Sequence, residues 1–302
     1  MSSTTEGVSE GDSRMTAVQD PTVQRRRLRL ELRRARDAAQ LRQAEVAHAM
    51  DWSPSKLIRI ERGDVSVSTN DLRALLSHYG VEDNDRVKEL LELARSARGA
   101  SFYDQFSDLL KPGFKEYLAY EASASVIRQY DTVLVSGLLQ IEEYGRAILE
   151  HMVGLGADRV DKAWAVRQHR QEAVDRKNPP EMLFVQDEAA LRRHVGRGRV
   201  MLKQLNQMRV LATEPNITIQ IIPFNRGAHP GMAGNFILLE FGDPSLDDLV
   251  HREDANQVTI RDDTELIAQY GDTFDKLQEM ALSPEESIDF LDVLIRDMAS
   301  GS

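Results

Sequence analysis

The chain has 302 residues, a net charge of −11 and no cysteine. That length leaves room for two domains, the missing cysteines exclude disulfide and thiolate chemistry, and such acidity argues against a nucleic-acid partner unless positive charge is gathered in one place. No apolar run reaches the ~18 residues of a membrane-spanning helix, so no membrane partner is expected and the reading is cytoplasmic.

In chain order, residues 1–23 are rich in Ser, Thr, Gly and acids and lack the apolar core of a signal peptide. They read as a disordered tail, within which Met15 is a candidate true start. Positive charge then gathers. Residues 21–62 hold eleven Arg or Lys against five acids, and by difference residues 101–302 carry −12. The run Arg25–Arg29 reads either as a solvated helix start or as a phosphate-contacting arm. Residues 43–62, QAEVAHAMDWSPSKLIRIER, pattern as two short helices joined at a sharp turn. Ser53 is placed as an N-cap and Pro54 as the first residue of the second helix. Ala47 is small where the helices cross, and Val46, Met50, Trp52, Leu57 and Ile60 form the buried side. Ser55, Lys56, Arg59 and Arg62 are left outward, a polar and basic face of the kind that enters a major groove.

This stretch, with LRRARDAAQLRQAEVA before it and IERG and STNDLRALLSHYGV after it, resembles the XRE (lambda-repressor-like) helix-turn-helix family. The resemblance implies a mainly α, five-helix DNA-binding domain over residues 24–99. It implies that Gln43 contacts phosphate, that Ser53 belongs to the DNA-facing set, and that Arg36 and Glu61 form a buried ion pair. Asp51 stands where the family often has Gly, and Asp tolerates the left-handed backbone better than most residues. Because half-sites lie one helical turn apart, a homodimer on double-stranded DNA is expected.

A boundary is placed near residues 96–101, with Gly99 as the cap of a fifth helix over about residues 84–97. Residues 100–302 then read as an α+β domain. Helices are expected over Phe114–Gln129 (Tyr117, Tyr120 and Ile127 inward), Leu138–Met152 and Arg159–Lys177. Short apolar or alternating runs at Met182–Gln186, Ile217–Pro223, Phe236–Phe241 and Leu249–Arg252 predict a small, mostly antiparallel sheet. Two helices close the chain, one over about Thr264–Leu282 and one opened by the capping box Ser283-Pro284-Glu285-Glu286. The segments EYLAYEASASVIRQYD, VSGLLQIEEYGRAIL, FVQDEAALRRHVG, ITIQIIPFNRGAHPGMAGNFILLEF and ALSPEES resemble the large C-terminal domain of actinomycete regulators of the WhiJ type. That resemblance implies a sensing or partner-binding half, an antitoxin-like role and a small acidic partner protein.

Asp187, Glu188, His229, His251, Glu253 and Asp254 are the polar residues that could carry acid-base or metal chemistry. No HxxxH, HExxH, nucleophile-elbow or Walker spacing accompanies them. No catalytic residue, metal or cofactor is therefore expected: Asp187 reads as a helix N-cap, Glu188 as a first-turn acid and His229 as a loop residue. The loop Asn225–Gly231 reads either as a long hairpin connection or as a ligand or partner loop presenting Arg226 and His229. Arg192 and Arg193, with Arg197 and Arg199, form a second basic patch that either meets an acidic partner or faces water.

Overall fold

The computed structural model describes residues 20–300 except 112, 152–153, 197–198 and 254–256, and the side chains of 173–174 are likewise outside the description. Five helices open the chain: α1 (Pro21–Ala38), α2 (Gln43–Ala49), α3 (Pro54–Arg62), α4 (Thr69–His78) and α5 (Asn84–Ser96). Helix α1 starts inside the segment assigned to the tail, because Asp20 caps it, accepting from the Thr22 N–H at 2.8 Å, and Pro21 fills the first position. Residues 1–19 and Met15 lie outside the described residues. Leu28 and Leu32 of α1 pack with Val46, Leu57, Ile60, Leu72, Leu75 and Leu90 into one core. Asp51 has φ 55 in the turn between α2 and α3, and Gln40 has φ 57 between α1 and α2. Each left-handed non-glycine residue costs roughly 1–2 kcal/mol, which the packed helices on either side hold in place. Gly99 is not a left-handed cap. Its missing side chain makes room for Pro21, whose Cγ would lie 2.9 Å from an added Cβ.

The C-terminal part is built on a six-stranded mixed sheet in the order β3-β2-β1-β4-β5-β6. After α6 (Phe114–Glu121) come β1 (Val126–Asp131), α7 (Glu142–His151), α8 (Ala157–Val174), β2 (Glu181–Asp187), α9 (Glu188–Arg192), α10 (Val200–Leu211) and β3 (Ile217–Ile222). These three strands pair in parallel, and MLFV and ITIQII are the near-continuous apolar runs that strands buried on both faces require. Strands β4 (Phe236–Glu240), β5 (Leu249–Glu253) and β6 (Val258–Arg261) add antiparallel to the other edge of β1. The chain closes with α11 (Thr264–Met280) and α12 (Pro284–Ser300). The capping box that opens α12 is present in both halves: Ser283 N–H donates to Glu286 and Glu286 N–H to Ser283 Oγ.

Two expectations fail here. Phe114–Gln129 is not one helix: α6 stops at Glu121 and VIRQYD is the central strand β1. The sheet also has a sixth strand, VTIR, that periodicity did not predict. One face of the sheet buries Ile127, Phe184, Ile219, Ile221 and Leu239 against α6, α7, α8, α10 and α12. The other buries Tyr130, Val185, Phe236 and Leu238 against Phe274 and Leu277 of α11.

Helix α1 belongs to both parts. Val23 and Leu30 sit in the large C-terminal core, one face round from Leu28 and Leu32. Arg26 is 1% exposed, donates to the Asp247 carbonyl at 2.6 Å, and lies over the rings of Tyr120 and Phe241. Burial lowers its pKa from the usual arginine range, with Tyr120 and Asp262 opposing. The boundary near residue 99 is therefore crossed by a packed, charged interface.

Candidate nucleic-acid interface

Helix α3 is presented by its neighbours. Arg36 of α1 donates to both oxygens of Glu61, Nε to Oε1 at 2.7 Å and Nη2 to Oε2 at 3.1 Å, and also to the Leu41 carbonyl at 2.9 Å. Glu61 is 2% exposed in its side chain, so this fork holds the last turn of α1 to the end of α3. Gly63 then ends α3 in the left-handed conformation at φ 83, and Arg29 donates to the exposed Arg62 carbonyl at 2.9 Å.

On this frame Ser55, Arg59 and Arg62 are exposed, and the side chains of Arg59 and Arg62 form no ion pair among the described residues. Both are free to reach a groove or a phosphate. Other predicted members sit differently. Ser53 occupies the N-cap position, but its hydroxyl makes no capping hydrogen bond and pairs with Ser55 Oγ at 3.1 Å. Lys56 is not fully outward: it is half-buried, 3.7 Å from the centre of the Trp52 ring and 3.2 Å from Asp71. Gln43 is turned inward, its amide donating to Glu61 Oε2 at 2.7 Å, so in this state it completes the ion pair.

The arginine run of α1 is neither a solvated start nor a free arm. Arg27 meets Glu89 and Asp243, Arg34 meets Asp247 at 2.7 Å, and Asp262 lies 3.8 Å from both Arg26 and Arg29. Acidic turns of the C-terminal part thus occupy much of the basic charge on α1. Arg33 stays exposed and lines a cleft with Arg62, Arg29 and Asp262. Sequence pattern had not singled it out, since only the fold brings it beside the end of α3.

In the C-terminal part Asp187 does cap α9, accepting from Ala189 N–H at 2.8 Å. Its second oxygen lies 3.2 Å from Nε2 of His229. That histidine does not project from its loop: its side chain is 5% exposed and meets Tyr130 edge-on. Gly231 beside it admits no side chain, because a Cβ would lie 2.4 Å from the Tyr130 ring. Arg226 is exposed, as is Arg193, while Arg192 is paired to Glu188. Glu188 also accepts from Phe224 N–H at 2.7 Å, and Glu253 pairs with Lys111. Arg197 and Asp254 lie outside the described residues.

His251 is on the opposite sheet face, stacked on Tyr117 at 3.9 Å, and desolvation with a nearby Arg170 lowers its pKa to about 3. Of the five candidates that the description covers, Asp187 and His229 meet, whereas His251 lies across the sheet from them and Glu253 pairs with Lys111. A separate buried network was missed. Glu121 accepts from Arg170 and Tyr117 deep in the core, and Gln129 and Gln186 both donate to Asp131, at 2.8 and 3.1 Å. Burial raises Asp131 to about 7 in spite of these bonds. Among the described residues no three His, Cys, Asp or Glu gather as metal ligands, and no helix is long and apolar enough to cross a membrane.

Comparison with known families gives two matches. Residues 27–101 match a helix-turn-helix domain, and residues 114–293 match a domain of unknown function, DUF5753. Neither a characterised protein nor a solved structure matches the chain.

Proposed function

We propose, from the premise that the chain belongs to the DUF5753 family and carries a helix-turn-helix domain at its N-terminal side, that it is a sequence-specific transcriptional regulator acting as a homodimer in the cytoplasm. A helix-turn-helix domain over residues 27–101 points to a DNA-binding regulator. The observation that supports sequence reading is the presentation of α3: a buried Arg36–Glu61 fork behind it, and Ser55, Arg59 and Arg62 exposed in front. The C-terminal half mediates dimerisation and effector or partner binding in this reading. It is supported by the direct packing of that half on α1, a physical contact between the two parts. The reading assigns no catalytic step, no metal and no cofactor. Titration of full-length protein against genomic fragments, followed by fluorescence anisotropy at several salt concentrations, tests it. Tight fragments that outcompete random duplex at every salt support sequence reading; uniform affinity that vanishes with salt refutes it.

One observation favours a second reading, an antitoxin-like protein that mainly holds a small acidic partner and autoregulates. The connection between β3 and β4 exposes Phe224 (57%), Arg226 and Met232 (69%), apolar and basic residues of the kind that meet such a partner. Purification from the native host separates the two: a stoichiometric small protein on the column supports the second reading, and its absence supports the first.

A further inference from the structure

Between α8, α10, the starts of β2 and β3 and the segment before α7 lies a cleft of about 630 Å³. That is within the range of sites that take small molecules, roughly 300–1,000 Å³. Leu138, Trp164, Met182, Leu211 and Ile217 supply its apolar lining. Its wall is fixed by hydrogen bonds within the protein. Gln171 of α8 donates to the Gln140 carbonyl at 2.8 Å, and Gln204 of α10 donates to the Leu139 carbonyl at 2.8 Å while accepting from Ile141 N–H at 2.9 Å. Two helices thus hold one loop in place along the cleft.

Its charge is one-sided. Glu142, Glu172, Asp175 and Glu214 stand among the lining residues, which include no Lys, Arg or His. Glu142 is paired to Arg146 and Glu172 accepts from Gln168, whereas Asp175 and Glu214 form no ion pair among the described residues. An apolar anion would be repelled from this cleft, and an uncharged molecule would leave the two free carboxylates unused. We infer that the cleft binds a small amphipathic cation, an ammonium or amidinium group on an apolar body, with the body against Trp164, Leu211 and Met182 and the charge toward Asp175 and Glu214. This deepens the reading of the C-terminal half as an effector-binding unit and rests on it for its regulatory meaning.

The path from cleft to reader is short. Arg170, next to Gln171 on α8, is held by Glu121 of α6, and Tyr120 beside Glu121 lies 5.4 Å under the guanidinium of Arg26 on α1. A ligand that shifts α8 therefore presses on the helix that carries Arg36.

Isothermal titration of the full-length protein with three matched probes tests the inference: 4-phenylbutylammonium, 4-phenylbutanol and 4-phenylbutyrate. Expected is saturable binding in the order ammonium, alcohol, carboxylate, with only the ammonium weakened by added salt. Asp175→Asn with Glu214→Gln, both on exposed positions, should weaken the ammonium by about fivefold, the loss expected for a partly exposed ion pair, and leave the alcohol unchanged. Leu211→Trp should block all three. No saturable binding, an equal or reversed order, or indifference to the carboxylate changes would overturn the site. Repeating the titration in the presence of bound DNA separates the claims. A saturable ammonium that leaves DNA affinity unchanged upholds the cleft and overturns the effector reading.

Discussion

Replacing Arg36 by Met removes the fork that ties α1 to α3, and the structure fixes what remains. Glu61 loses both guanidinium bonds and keeps only the amide of Gln43, at 2.7 Å, while its side chain stays 2% exposed. The Leu41 carbonyl loses its donor as well. Breaking a buried pair by removing one partner costs about 3–5 kcal/mol, because the remaining charge is uncompensated. That is a large share of the few to ten kcal/mol that stabilise a unit of this size. Each kcal/mol moves the midpoint of such a unit by about 4–8 °C, so a fall of at least ~12 °C is expected. The assay is differential scanning calorimetry of the full chain. A second variant checks the cause. Adding Glu61→Gln to Arg36→Met removes the stranded charge, leaves an amide for Gln43, and should return most of the lost stability. A single variant that melts with the wild type, or a double variant that melts below the single one, would refute the assignment of the fork as the tie.

Three further outcomes follow from the same geometry. Arg59→Ala should leave the fold intact and lower discrimination between the preferred duplex and its single-base variants by about 1–3 kcal/mol, measured by competition; equal loss on all duplexes would reduce Arg59 to a phosphate contact. Asp131 has a folded pKa of about 7, above its unfolded value, so its contribution is fully present below about pH 4 and is lost as pH rises through 7. Relative to Asp131→Asn, the wild type should therefore lose about 2–3 kcal/mol between pH 5 and pH 8 in urea melts, and parallel pH profiles would contradict the buried carboxyl. Gly137→Ala places a Cβ 2.6 Å from Arg170 Nη1, pressing on the Arg170–Glu121 pair. A loss of about 1–3 kcal/mol is expected, and a neutral substitution would show that Arg170 moves aside freely.

Much of the architecture was legible because local signals agreed. The helix-turn-helix showed a proline at the first position of α3, a left-handed Asp51 and an apolar stripe in register, and each has a counterpart in the fold. The strands at 181–187 and 217–222 announced themselves by apolar runs. Strand β1 did not, because its inner face carries Gln129 and Asp131 where alternation would place apolar residues. Buried polar chemistry hid a strand. The edge strand β6 is short and half-exposed, so its pattern was too weak to read. At the site, exposure of Arg59 and Arg62 could be read from helical spacing, but the inward turn of Gln43 and the Lys56–Asp71 pair could not. Those positions depend on partners 15 or more residues away. The same holds for Arg26 and Arg34 of α1, which reach the backbone and the carboxylate of Asp247 more than 200 residues later.

Sequence reading by a paired α3 is tested most directly by one measurement. Full-length protein is used to select bound duplexes from a random pool through several rounds, and the enriched pool is sequenced. A two-fold symmetric motif is predicted, with half-site centres about 34–36 Å apart or a multiple of it, and with a base position whose preference weakens when the selection is repeated with Arg59→Ala. A pool that stays random through successive rounds, while the protein still retains DNA at low salt, would contradict sequence reading by α3.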